Sequence, residues 1–179
     1  MDIYFKTCPT LEERLQMIRE YSYVDLSEQI SHLSLDDELP SPYLATLDDD
    51  DRATCFRATL LCHCVTGGTQ VPREMQLKAV LADQHGDNSL IAAGTGSGKT
   101  LPMALNILLD DPKKKLTTIT LSPLKRLQAT QENDFNTRYG IRTVIINEDT
   151  PRDDKWWAVR HVFPLAATVH SVSSTDKCL

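Results

Sequence analysis

The chain has 179 residues, a net charge of -6, 41% hydrophobic residues and 25% charged ones. These are the proportions of a soluble globular protein, and no apolar run approaches the roughly 18 to 20 residues of a membrane span, which excludes a helical membrane protein. A chain of this size buries roughly 70% of its extended surface, enough for one ordinary domain and too little for two large ones.

The opening MDIYFKTCPT has neither the basic flank nor the apolar core of a signal peptide, and Cys178 is misplaced for prenylation, so an intracellular location is expected. Charge divides the chain: residues 1–70 hold 13 acidic against 5 basic residues, whereas residues 71–179 hold 12 against 14. The acidity of the whole therefore says little against a nucleic-acid partner for the second part, because such binding follows the local patch.

In residues 1–70, Thr10 and Glu13 have capping-box spacing, and Leu11, Leu15 and Ile18 recur at helical intervals, which predicts a short amphipathic helix. A second helical piece is expected to run to about Leu35, where His32 has a surface or packing role. Pro40 and Pro42 break it, and the acidic run at 48–51 reads as a solvated loop. The whole stretch reads as a helical accessory region able to dock a protein partner. The five cysteines form no CxxC pair, so thiols are expected. Cys55, Cys62, His63 and Cys64 offer four zinc-ligand types, but three adjacent residues cannot all turn toward one tetrahedral ion, and buried thiols are the better reading.

From Val71 the pattern becomes an alternation of helix and strand. Pro72 marks a helix start, with Met75, Ala79 and Val80 on one face. Residues 89–93 (SLIAA) read as a short buried strand, 99–109 as a helix, 116–122 as a strand, 124–139 as a helix and 142–147 as a strand. Such alternation indicates an α/β fold with a parallel sheet. Lys113, Lys114 and Lys115 read as a solvated turn.

Within it, Ala93-Gly94-Thr95-Gly96-Ser97-Gly98-Lys99-Thr100 fits the phosphate-loop form with Ala at the first glycine position. Glycines allow positive φ and let backbone amides approach phosphate oxygens, and the helix that follows adds its positive dipole end. Lys99 would reach the β and γ phosphates, and the Thr100 hydroxyl would hold Mg2+. GTPase elements do not follow: no NKxD is found after Lys99, and the one DxxG, from Asp83 to Gly86, precedes the loop.

Arg73-Glu74-Met75-Gln76, about twenty residues before the loop, resembles the adenine-reading element of superfamily 2 helicases. Ser122-Pro123-Leu124, with Leu127 and Gln131, is similar to the first DNA-contacting motif of the RecQ-like branch; DEAD-box RNA helicases would carry PTREL there. Lys125, Arg126 and Thr130 depart from the usual RecQ-like residues. The resemblance covers residues 71–157, about half the chain. It implies an incomplete RecA-like domain of DEAD/DEAH type that binds ATP and Mg2+ through Arg73, Gln76 and residues 94–100, with Lys99 and Thr100 serving catalysis. It further implies a DNA partner gripped through Ser122, Pro123, Lys125, Arg126 and Gln131, 3'–5' unwinding by the complete protein, and a nuclear location.

Hydrolysis needs a carboxylate pair beside the phosphates, and no DEAD or DEAH box occurs. Asp110 and Asp111 end the helix leaving the loop, roughly 15 Å away. Glu148 and Asp149 follow an apolar run but sit on the strand after the DNA motif. The likeness is expected to stop at Trp157, leaving residues 158–179 as a divergent tail of a shortened chain, in which His161 and His170 have no role; Trp156 and Trp157 read as packing residues. Stand-alone unwinding is not expected. The alternatives are a non-catalytic nucleotide-binding or protein-interaction fragment and, third, a small P-loop kinase, for which an Arg-rich lid is wanting.

Overall fold

Local capping rules account for where most helices begin. In the computed structural model, which describes residues 10–150 and 153, Thr10 Oγ1 accepts from Glu13 N and Thr10 N donates to Glu13 Oε2, both at 3.2 Å. This capping box starts α1, Leu11–Glu20. Ser22 and Asp25 repeat the device at α2, Tyr23–His32, and those bonds hold the Asp25 carboxyl below its ordinary range. A four-residue turn, α3 (Ser41–Leu44), follows at the two prolines.

The acidic run departs from its expected role as a loop. Asp48 Oδ1 accepts from Asp51 N at 2.9 Å, and Asp49, Asp50 and Asp51 form the first turn of α4, Asp49–Thr66. Carboxylates at a helix N-terminus face the positive end of its dipole, so the run initiates the longest helix among the described residues rather than interrupting the chain. Gly67, in the left-handed region at φ +59°, ends it.

The chain divides into two units, Met1–Leu109 and Asp110–Leu179. In the first, α1 and α2 pack on α4, which also meets α5 (Glu74–Gln84) and α6 (Thr100–Leu109). Ile18, Leu26, Ile30, Leu60, Leu61, Leu77, Val80 and Leu105 fill its core. Arg19 Nε donates to Leu108 O at 2.8 Å, placing a cation at the C-terminal end of α6. In the second unit, a 3-10 turn (Pro112–Lys114) with exposed lysines precedes α7 (Lys125–Asn133), which runs into a π turn over Asp134–Arg138.

The expected α/β fold with a parallel sheet is not found among the described residues, which are helical and contain no strand. Residues 89–93, 116–122 and 142–147 lack regular structure, with Leu90 95% exposed and Leu121 71%. Strand-forming composition is only half of a strand, since a ladder needs a second backbone roughly 4.8 Å alongside. Here side chains take that place. Asn136 accepts from Thr143 N (3.0 Å) and donates to Thr143 O (3.1 Å), and Glu132 accepts from Ile145 N at 3.3 Å. Trp156, Trp157, His161, His170 and the expected tail at 158–179 lie outside the described residues, as do Cys8 and Cys178. No described helix is long and apolar enough to cross a membrane.

Candidate functional site

The phosphate loop lies in the first unit, between Ala93 and α6. Gly96 and Gly98 take φ values of +81° and +78°, which side-chain-bearing residues adopt only with strain. A Cβ at Gly94 or Gly96 would meet nothing within 4 Å, leaving open space above the backbone. Ser97 N bonds Gly94 O at 3.3 Å and Leu101 N bonds Gly98 O at 3.1 Å, which bends the segment. The amides of Gly96, Gly98, Lys99 and Thr100 donate to no carbonyl among the described residues, and Ser97 Oγ is buried without a partner. Because α6 begins at Thr100, the positive end of its dipole falls on the same amides. An accessible cluster of unused amides at a helix N-terminus fits the oxygens of a phosphate chain.

Lys99 and Thr100 could hold the rest of a magnesium nucleotide, the first as a cation on the outer phosphates and the second through its hydroxyl. In this conformation Lys99 Nζ donates to Ala93 O and Gly94 O, both at 2.8 Å, so the ammonium folds over its own loop. Thr95 is exposed beside it.

Gln76 joins the loop to the helix before it. Its Oε1 accepts from Arg73 N at 2.8 Å, fixing the start of α5, and its Nε2 donates to Gly98 O at 3.0 Å. The side chain is 4% exposed. Sequence reading thus selected two elements that the fold does bring together, twenty-two residues apart. Pairing with an adenine edge would use the same amide atoms, so base reading and loop tethering draw on one group. Arg73 is exposed at the N-cap of α5.

The second motif lies in the other unit. Ser122 is buried, its Oγ without a partner, while Pro123, Leu124, Lys125, Arg126, Leu127 and Thr130 line an open groove of about 540 Å3. Leu124 and Leu127 are exposed at 62% and 43% and give the groove an apolar floor beside two cationic residues. Gln131 is half-buried on α7. Lys125 Nζ bonds Asp149 Oδ2 at 2.7 Å and also pairs with the Glu148 carboxylate. Hydrogen bonds to Asp149 and then Glu148 raise the lysine above its ordinary range. Asp111 caps the 3-10 turn through Lys113 N at 2.9 Å.

Gln128 escaped the sequence reading. It is 1% exposed, donates to Ser122 O at 2.7 Å and accepts from Asn147 Nδ2 at 3.1 Å. The polar residue lies inside α7 while Leu124 and Leu127 face out, so a search for buried leucines passes over it. On α4, Cys55 and Cys62 are buried thiols outside any disulfide; burial pushes Cys55 up to about 12 and raises Cys64 as well.

The family model for DEAD/DEAH box helicases matches residues 73–176, more than half of the chain and past Trp157. The probable ATP-dependent RNA helicase DDX52 of Mus musculus is 36% identical over 93 residues, which is 50% of this chain and 15% of that protein. The ATP-dependent DNA helicase Hel308 of Caldivirga maquilingensis is 39% identical over 90 residues, 48% of this chain and 11% of that protein. The chain therefore spans only 11% to 15% of the length of these relatives. No solved structure matches.

Proposed function

The chain belongs to the DEAD/DEAH box helicase family, whose members use ATP, generally with Mg2+, and bind nucleic acid, and we propose that it is the part of an ATP-dependent DNA helicase that binds ATP-Mg and a single strand. The observation that carries the nucleotide half is the set of unused amides at Gly96, Gly98, Lys99 and Thr100, at the start of α6. In this reading Gly94, Thr95, Gly96, Ser97 and Gly98 surround the phosphates. Lys99 neutralises the outer ones, Thr100 holds magnesium, and Arg73 and Gln76 serve the base.

The strand half rests on the groove over α7, where Leu124 and Leu127 give an apolar surface for bases and Lys125 and Arg126 supply phosphate contacts. Ser122, Pro123 and Gln131 complete it. DNA and a RecQ-like, 3'–5' assignment are favoured by Ser122-Pro123-Leu124 standing where RNA helicases of the DEAD-box type carry PTREL. Residues 73–176, the matched stretch, then act as the partial helicase domain, residues 1–70 as an accessory region whose α4 packs against α6, and a nuclear location accompanies the assignment.

A second reading, nucleotide binding without turnover, is favoured by one observation. Lys99 and Gln76 spend their polar atoms on the loop itself, and Glu148 and Asp149 spend theirs on Lys125. Labelled ATP with Mg2+ is expected to bind, and Lys99→Ala to weaken it by roughly a hundredfold, the loss of charge-assisted contacts to the outer phosphates. Equal binding by the variant would remove the nucleotide reading. ATP turnover stimulated by single-stranded DNA would remove the second reading and favour the first.

A further inference from the structure

We propose that Glu148 and Asp149 are a built-in competitor for nucleic acid, holding Lys125 in an ion pair that a phosphate strand must displace. The inference rests on the reading of Lys125 and Arg126 as strand contacts and adds a restraint within that same site.

The pairing is held in place by a network. The acids sit in a turn in which Asp149 N donates to Asn147 Oδ1 at 3.0 Å, Asn147 N donates to Thr150 Oγ1 at 2.9 Å and Thr150 N donates to Asn147 O at 3.1 Å. Asn147 Nδ2 then donates to the buried Gln128, whose own Nε2 donates to Ser122 O. One glutamine thereby fixes three things together: the serine of the strand motif, the helix that begins at Lys125, and the turn that carries both carboxylates. The acids are aimed at the lysine by buried and backbone bonds.

The electrostatic result is a neutralisation. Lys125 with Arg126 offers two positive charges to the groove; with Glu148 and Asp149 against Lys125 the four groups sum to zero. The pairs are well exposed, with Lys125 46% and Asp149 71% exposed, so they remain open to exchange with solvent anions. Exposed pairs of this kind shift an equilibrium by about 1.5- to fivefold each. An isolated anion must outbid two fixed carboxylates at one ammonium. A polynucleotide is held at several phosphates at once and meets them at a high effective concentration. The arrangement therefore favours a strand over free phosphate or mononucleotide at this lysine.

The test uses the full chain and fluorescently labelled homothymidylate and homouridylate single strands, with anisotropy read over a range of KCl concentrations. Glu148→Gln with Asp149→Asn keeps side-chain shape at exposed positions and is expected to retain the wild-type circular dichroism and melting curve. It should tighten binding by roughly three- to tenfold and steepen the salt dependence by about 0.7, the share of one additional phosphate contact on a single strand. Lys125→Gln should cost little in the wild-type background and should cancel the gain in the acid-free one. A gain that survives Lys125→Gln would show a general charge effect and overturn the proposal. Unchanged affinity and slope in the acid-free variant, with Lys125→Gln weakening wild-type binding, would also overturn it while leaving the strand reading in place. If Lys125→Gln with Arg126→Gln changes nothing in either background, both fall.

Discussion

Replacing Gln76 removes a side chain that fastens the phosphate loop to α5, and the structure sets the size of the effect. Its Oε1 is the acceptor for Arg73 N at the start of the helix, a capping contact whose loss costs about 0.5 to 2 kcal/mol. Its Nε2 donates to Gly98 O at 3.0 Å, a bond with a net contribution of about 0.5 to 1.5 kcal/mol; the 3.4 Å approach to Ser97 O is long enough to neglect. Gln76→Ala should therefore lower stability by roughly 1 to 3 kcal/mol, measured by urea denaturation followed by circular dichroism.

Gln76→Glu separates the two contacts. It keeps an acceptor for Arg73 N but sets a carboxylate oxygen against Gly98 O, where a donor is needed. At neutral pH the variant should be at least as destabilised as Gln76→Ala. Burial beside two carbonyls raises this carboxyl above the usual glutamate value of about 4.3. A raised folded-state value means the protonated form is favoured by folding, so the variant's stability is recovered below about pH 4 and lost as pH rises through the folded-state value. A Gln76→Ala variant within about 0.5 kcal/mol of wild type, or a Gln76→Glu penalty that does not change with pH, would refute the tether.

Two further outcomes follow from the same geometry. Gly98→Ala combines a φ of +78° with a Cβ only 2.5 Å from Gln76 Nε2, and should cost roughly 2 to 3 kcal/mol, the strain of a left-handed residue plus the broken tether. Because the clash is with Gln76, the double variant Gly98→Ala with Gln76→Ala should cost less than the two single variants added together, which a double-mutant cycle reads directly. Cys55, pushed up to about 12 by burial, keeps its proton in the folded chain while the unfolded thiol titrates near its ordinary value. Its contribution is complete below about pH 9 and is lost between pH 9 and about 12. Urea midpoints at rising pH should fall more steeply for wild type than for Cys55→Ala, and the native Cys55 thiol should resist alkylation.

The features legible in the sequence were those that a few neighbouring residues settle. Thr10 with Glu13 marks a helix start because both partners of the capping box lie within one turn. Residues 94–100 read as a phosphate-loop motif because glycines, a lysine and a helix start are consecutive. The acidic run at 48–51 was misjudged: charge alone suggests solvent, and only its place before a long helix makes those carboxylates a cap. Gln128 was missed because polarity suggests the surface, whereas here two backbone-anchored partners draw it inside.

The sequence by itself determined the start of α1, the run of glycines and lysine at 94–100 and membership in a helicase family, since each is written in contiguous residues. Tertiary structure alone decided what the extended segments do, because a strand exists only with a second backbone beside it, and at 142–147 the side chains of Asn136 and Glu132 occupy that role. It also decided that Gln76 holds Gly98 and that Lys125 faces Glu148 and Asp149. Those contacts join residues more than twenty positions apart, and no local pattern can state which of two polar groups a folded chain will bring together.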